Sequence, residues 1–114
     1  MMTPHIQAIA SDVCVAGQLD PSAMAWAAQN GFKSVINNRP DFEGGPEQPS
    51  STEMQAAALA AGLQYAHLPV SPSLHSEQEI ARMAQLLAEL PRPVLLYCRS
   101  GARSARLYQS ATSL

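Results

Sequence analysis

Charge is scarce in this sequence. Asp, Glu, Lys and Arg make up 14% of it, where soluble domains average about 25%. One lysine (Lys33) and six arginines stand against nine carboxylates, for a net charge of -2. That balance excludes the broad basic face on which nucleic-acid binding depends. Trp and Phe together number three, and nineteen of the apolar residues are alanine. Alanine buries little area, so a thin, closely packed core is expected. No apolar run approaches the roughly 18–20 residues of a membrane-spanning helix. Two cysteines, Cys14 and Cys98, are too few for a disulfide framework. The opening segment MMTPHIQAIA has neither the basic start nor the apolar stretch of a secretory signal, so a cytoplasmic location is expected. His5, His67 and His75 are scattered and no Cys/His spacing matches a zinc site, so neither metal nor cofactor is expected.

What is present is an alternation of strand and helix patterns. At 114 residues the chain is expected to form one domain, residues 1–114. Val13 to Ala16 reads as a short strand. Asp20 is the expected N-cap of a helix with Pro21 in its first position, ended by Asn30-Gly31. Phe32 to Asn37 reads as a strand. The Pro- and Gly-rich stretch from Pro40 to Ser51 reads as a loop. A helix from Ser51 to Gly62 follows, then an alternating strand from Leu63 to Val70. Ser76 and Glu79 form a capping-box pattern opening a helix that runs to Leu90. Pro93 to Tyr97 is wholly apolar, as befits a strand buried on both faces. A last helix starts near Ala102. This order predicts an α/β three-layer sandwich around a mostly parallel sheet of four to five strands. Ligands of such folds bind at the carboxyl ends of the strands.

The segment Cys98-Arg99-Ser100-Gly101-Ala102-Arg103-Ser104 falls at such an end. A buried strand delivers Cys98, a helix begins four residues later, and Gly101 permits the sharp turn between them. The amides of Arg99, Ser100, Gly101, Ala102, Arg103 and Ser104 are expected to point into a common cup at the helix N-terminus, where they attract anions. The same field lowers the pKa of Cys98 and favours its nucleophilic thiolate. Arg103 is expected to fold over the cup and hold an anion bidentately, with Ser104 donating to the sulfur. Four of the seven cations, Arg92, Arg99, Arg103 and Arg106, fall within fifteen residues around this loop. Cys14 lacks such a context and reads as core, with redox pairing to Cys98 as the alternative.

The loop CRSGARS resembles the active-site loop shared in outline by rhodaneses and cysteine-dependent phosphatases. Together with Gly17-Gln18-Leu19, VINNRPDFE (Val35 to Glu43), YAHLPV (Tyr65 to Val70) and PVLLYCRSGARS, it is similar to a bacterial family of small phosphatase-like domains. Those domains occur alone or fused to a β-lactamase-like persulfide dioxygenase, and are described both as phosphatase-like and as sulfur transferases. The resemblance implies a dual-specificity-phosphatase-like fold, Cys98 as nucleophile and Arg103 as anion binder. It also implies further helical structure after Arg103, where this chain has eleven residues. Asn38 stands where members of that family usually carry an apolar residue.

Two observations weigh on the chemistry. Phosphatases of this kind place the arginine after five intervening residues, whereas four separate Cys98 from Arg103. The smaller cup suits a persulfide, as in rhodaneses. Phosphoester cleavage also benefits from a general acid, yet Ser71 to His75, where phosphatases of this fold usually supply one, holds no carboxylate. Asp41, in the loop with Arg39, is the stand-in, and His75 a candidate acid at the mouth. Arg39 and Asp41 are expected to pair beside the site or to stiffen their loop. The preferred expectation is sulfur transfer: Cys98 takes a sulfane sulfur from thiosulfate or a low-molecular-weight persulfide and passes it to a thiol acceptor. The alternatives are a phosphatase-like hydrolase forming a phosphocysteine on Cys98, and a non-catalytic anion-binding module. The charge-poor, alanine-rich surface also allows a homodimer.

Overall fold

A computed structural model describes residues 3–114; Met1 and Met2, which open the segment read as free of a secretory signal, lie outside them. In chain order the elements are β1 (Ile6–Ala10), β2 (Val13–Ala16), α1 (Ala23–Gln29), β3 (Ser34–Asn37), α2 (Ser51–Ala60), β4 (Gln64–His67), α3 (Glu77–Glu89), β5 (Val94–Tyr97) and α4 (Ala102–Thr112). The sheet runs β1-β2-β5-β3-β4. Four strands are parallel, and β1 lies antiparallel on the edge beside β2. The expected α/β sandwich is thus the observed one, with five strands.

β1 is the element missing from the sequence reading. Its sequence, IQAIA, has only two large apolar residues, and the strand is half-exposed at the sheet edge. Periodicity alone gives such a segment little signal. α1 also differs: it starts at Ala23 rather than after an Asp20 cap, and Ser22 occupies the N-cap position. Asp20 instead accepts the Ser22 hydroxyl and, through its carbonyl, the Ala23 amide. It closes the turn that leads into the helix. β4 is four residues long, shorter than the alternation from Leu63 to Val70 suggested.

The two faces of β5 show how the core is divided. Leu95 and Tyr97 pack with Met24, Ala27, Met54 and Ala58 of α1 and α2. Val94 and Leu96 pack with Met83, Leu86, Leu87 and Leu107 of α3 and α4. All four β5 residues are buried, as a central strand covered by helices on both sides requires. Ala27 and Ala58 are fully buried; their small side chains take up little space between helix and sheet.

Register sets the site. Tyr97 pairs with Ala16 of β2 and with Asn37 of β3, so three parallel strands end level with one another. The segments 17–18, 38–45 and 98–101 therefore leave the sheet side by side. The same register corrects the redox alternative. Cys14 lies across from Leu95, three residues short of Cys98, or about 10 Å along the strand. Disulfides need Cα atoms within about 7 Å, and both cysteines are free. No helix among the described residues is long and apolar enough to cross a membrane.

Ser76 caps α3 as its spacing predicted: its Oγ accepts from the Glu79 amide at 3.1 Å, and Glu79 returns a bond to the Ser76 amide at 2.8 Å. Ser50 and Glu53 make the same reciprocal pair on α2. Ser76→Ala is expected to cost about 1 kcal/mol of stability. The measurement is the urea midpoint, which should fall with the slope of the transition unchanged.

Candidate active site

Beyond Tyr97 the chain turns at Cys98, and α4 opens at Ala102 with Gly101 in its N-cap position at φ +96°. That left-handed conformation is open to glycine without strain and costs other residues energy. The loop is pinned from β2. The Cys98 amide donates to Ala16 O at 3.3 Å, and the Gln18 amide donates to Arg99 O at 3.1 Å. Gly17 allows this approach, since a Cβ there would lie 2.9 Å from Arg99 O.

The sulfur of Cys98 is buried, at 1% residue exposure, and accepts the Gly101 amide at 3.1 Å. Burial pushes the thiol pKa up. The backbone and hydroxyl of Ser104 and the backbones of Ser100 and Gly101 together outweigh it, so the thiol lies below its ordinary value. Not every expected group serves the sulfur alone. The Ala102 amide faces Ser100 Oγ at 3.4 Å, and Ser104 Oγ donates to Asn38 Oδ1 at 2.8 Å.

Arg103 is buried beside the loop, but its terminal nitrogens do not reach over it as expected. Nη1 and Nη2 donate to Glu43 Oε2 and Oε1 at 3.0 and 3.1 Å, and Nη1 also donates to Val70 O at 3.1 Å. Among the described residues its buried Nε has no partner. Glu43 also accepts Arg39 Nε at 2.9 Å, and Arg39 Nη1 donates to Gln18 Oε1 at 3.1 Å. One carboxylate thus clamps two guanidinium groups, and both hold its pKa below the ordinary value despite partial burial. Arg39, Glu43, Gly44, Pro72, Arg99 and Arg103 line a cleft of about 580 Å³.

The supporting residues sort differently from expectation. Arg39 pairs with Glu43, not with Asp41. The Asp41 carboxylate instead accepts the Ser51 amide at 2.8 Å at the start of α2, which engages it as a helix-terminal acceptor. His75 is not at the mouth of this cleft. It lines a separate one of about 370 Å³ with Ser73, Leu74, Ile80, Arg106, Gln109 and Ser110. His67 Nε2 bonds Arg39 O at 2.9 Å, a contact that braces the loop. Arg106 donates to Pro72 O. Among the described residues no group of three His, Cys, Asp or Glu side chains is placed to hold a metal ion.

Glu43, Gln18 and Asn38 were missed as site residues. The i,i+4 spacing of Arg39 and Glu43 was a signal, but that spacing implies a pair only on a helix. Here the pair forms in a loop, in which Phe42, the residue before Glu43, takes a positive φ of 66°.

The clamp has a pH signature. Because the folded-state pKa of Glu43 is depressed below the ordinary value of 4.5, its contribution to stability is complete above that pH. It is lost as the pH falls through the lower folded value. Urea midpoints measured from pH 6 downward should therefore drop less steeply for Glu43→Gln than for the unmodified protein. Parallel curves would dissolve the clamp.

A family model described as the phosphatase-like domain of beta-lactamase hydrolase-like protein matches residues 5–114. The beta-lactamase hydrolase-like protein of Agrobacterium fabrum is 40% identical over 94 residues, 82% of this chain and 22% of that protein. Its counterpart in Xylella fastidiosa is 36% identical over 96 residues, 84% of this chain and 22% of that protein. The chain thus spans less than a quarter of the length of these relatives. A candidate phosphatase from Neisseria meningitidis shares the fold at a TM-score of 0.81 and 29% identity, covering 89% of this chain and 71% of that one. The catalytic core of a yeast PP-IP phosphatase superposes at a TM-score of 0.70 with 14% identity, covering 93% of this chain and 64% of that one, a likeness of fold alone. The chain belongs to the family of phosphatase-like domains found in beta-lactamase hydrolase-like proteins.

Proposed function

We propose that the chain is a cysteine-dependent phosphohydrolase, with Cys98 as nucleophile and Arg103 and the loop amides as phosphoryl ligands. One observation carries the reading. A buried Cys98 that accepts the Gly101 amide, and is held below its ordinary thiol pKa by the loop's N–H groups and the Ser104 hydroxyl, is followed in the first turn of α4 by an arginine whose buried Nε has no partner among the described residues. The phosphatase-like family and the Neisseria relative support phosphorus over sulfur, so sulfur transfer, the preference drawn from the short loop, gives way.

In the first step the Cys98 thiolate attacks phosphorus. An S–P bond forms as the P–O bond breaks, and the leaving oxygen takes the bonding pair. In the second step water attacks phosphorus and the S–P bond breaks, its electron pair returning to Cys98 as thiolate; the water's protons stay with the phosphate, which leaves as inorganic phosphate. Amides of Ser100, Gly101 and Ser104 and the Arg103 guanidinium stabilise charge on the non-bridging oxygens in both steps. Arg99, exposed at the cleft, adds positive charge on the approach side.

The leaving group must depart with little help. Glu43 is held ionised by two arginines, Asp41 is engaged at α2, and residues 71–75 carry no carboxylate. Substrates whose leaving oxygen is already a weak base, aryl phosphates or phosphoanhydrides, are therefore favoured over alkyl phosphates.

The test is turnover of p-nitrophenyl phosphate beside an alkyl phosphate, with mass spectrometry of the quenched enzyme. Expected are faster aryl turnover and a phosphoryl adduct on Cys98. Cys98→Ser should lose at least about 10³-fold in rate and Arg103→Ala about 10²–10³-fold. The rate should rise with pH through a thiol ionisation below the ordinary range. A gain of one sulfur on Cys98 after thiosulfate, with no aryl phosphate turnover, would restore sulfur transfer. Phosphate binding with neither adduct would leave an anion-binding module.

A further inference from the structure

Asn38 follows β3 directly and is fully buried. Its amide donates to Tyr97 O at 2.8 Å, the bond that ties the end of β3 to the residue before Cys98, and its carbonyl accepts the Val70 amide at 3.1 Å. The side chain is oriented without ambiguity: Nδ2 donates to Leu68 O at 3.0 Å, so Oδ1 is the atom that meets Ser104 Oγ at 2.8 Å. An amide oxygen has no proton, and Ser104 must therefore donate. Ser104 is itself fully buried in the first turn of α4, and its hydroxyl is also among the groups that hold the Cys98 thiol below its ordinary value.

We propose that Asn38 is a positioning residue for Cys98 that acts through Ser104, its Oδ1 competing with the sulfur for the single hydroxyl proton. A hydroxyl has one hydrogen to give. While the sulfur is neutral, as a thiol or bonded to a transferred group, that hydrogen rests on Asn38. When the sulfur becomes a thiolate, the hydroxyl serves it only by leaving a buried amide oxygen without a donor. Asn38 thereby keeps the thiolate more basic than the loop amides and a free Ser104 would make it. A more basic thiolate is the stronger nucleophile and the poorer leaving group. The balance between the two covalent steps is set from outside the CRSGARS loop. This inference rests on Cys98 acting as the nucleophile, but not on which group it takes.

The test needs no substrate, so a failure to hydrolyse phosphoesters leaves it intact. The Cys98 pKa is measured by peptide-resolved alkylation across pH, which separates Cys98 from Cys14. Arg39, Glu43, Arg99 and Arg103, the charged groups of the loop and the cleft, are common to every variant. Asn38→Leu, which removes the competing acceptor at similar volume, should lower the pKa by about one unit. In a Ser104→Ala background the same substitution should have almost no effect, because its route to the sulfur is gone. An unchanged or raised pKa in Asn38→Leu, or an equal fall in the Ser104→Ala background, overturns the proposal. Should Asn38→Leu not fold, Ser104→Ala alone decides. A rise of less than about one unit fits a proton shared with Asn38, and any larger rise shows that the sulfur holds it outright and overturns the proposal.

Discussion

A cysteine that is 1% exposed carries negative charge on its sulfur only if donors replace the water it has lost. The remainder of the site is arranged around that requirement. The donors are backbone groups of Ser100, Gly101 and Ser104, and backbone groups face inward only if the chain turns sharply between strand and helix. Gly101 makes the turn, and Gly17 and Gln18 hold its outer side from the neighbouring strand. Placing β5 between β2 and β3 gives the loop support from both flanks. An edge strand would offer one.

Around this loop the protein uses one carboxylate where two arginines need company. Glu43 fixes Arg103 and Arg39 at once, so two guanidinium groups remain oriented and charged in a half-buried cleft. The arrangement takes Glu43 out of service as a proton donor, because a carboxyl beside two cations stays ionised. Positioning of the anion-binding group and general acid catalysis thus compete for the same side chain. On the proposed reading, this competition ties the local geometry to a preference for substrates with weakly basic leaving groups. Asn38 and Ser104 repeat the pattern on a smaller scale, with one proton and two acceptors.

Patterns that depend on near neighbours in sequence were legible from the sequence. The alternation of strands and helices, the apolar β5, the Ser76–Glu79 box and the Cys98-to-Ser104 loop each rest on contacts within a few residues, where residue type and spacing fix the conformation. Readings that assigned partners were less secure. The cap position of α1 falls on Ser22 rather than Asp20, Asp41 accepts the Ser51 amide rather than pairing with Arg39, and His75, a candidate acid at the mouth, lines a separate cleft. The surroundings of Asp41 and His75 are set by how separate segments leave the sheet, and those of Asp20 by the turn that precedes α1.

The sequence by itself determined the α/β class, the delivery of Cys98 to a strand end and the glycine turn that follows, because these are short-range consequences of backbone sterics and hydrophobic period. Tertiary structure decided the edge strand β1, the separation of Cys14 from Cys98 and the partners of Arg39, Glu43 and Arg103 at the site. The level ending of β2, β5 and β3 brings Gln18, Asn38, Glu43 and Arg103 together across as many as 85 positions of sequence. No local pattern records that convergence, because it follows from the order and register of the strands, and both are fixed only when the two cores close on the sheet.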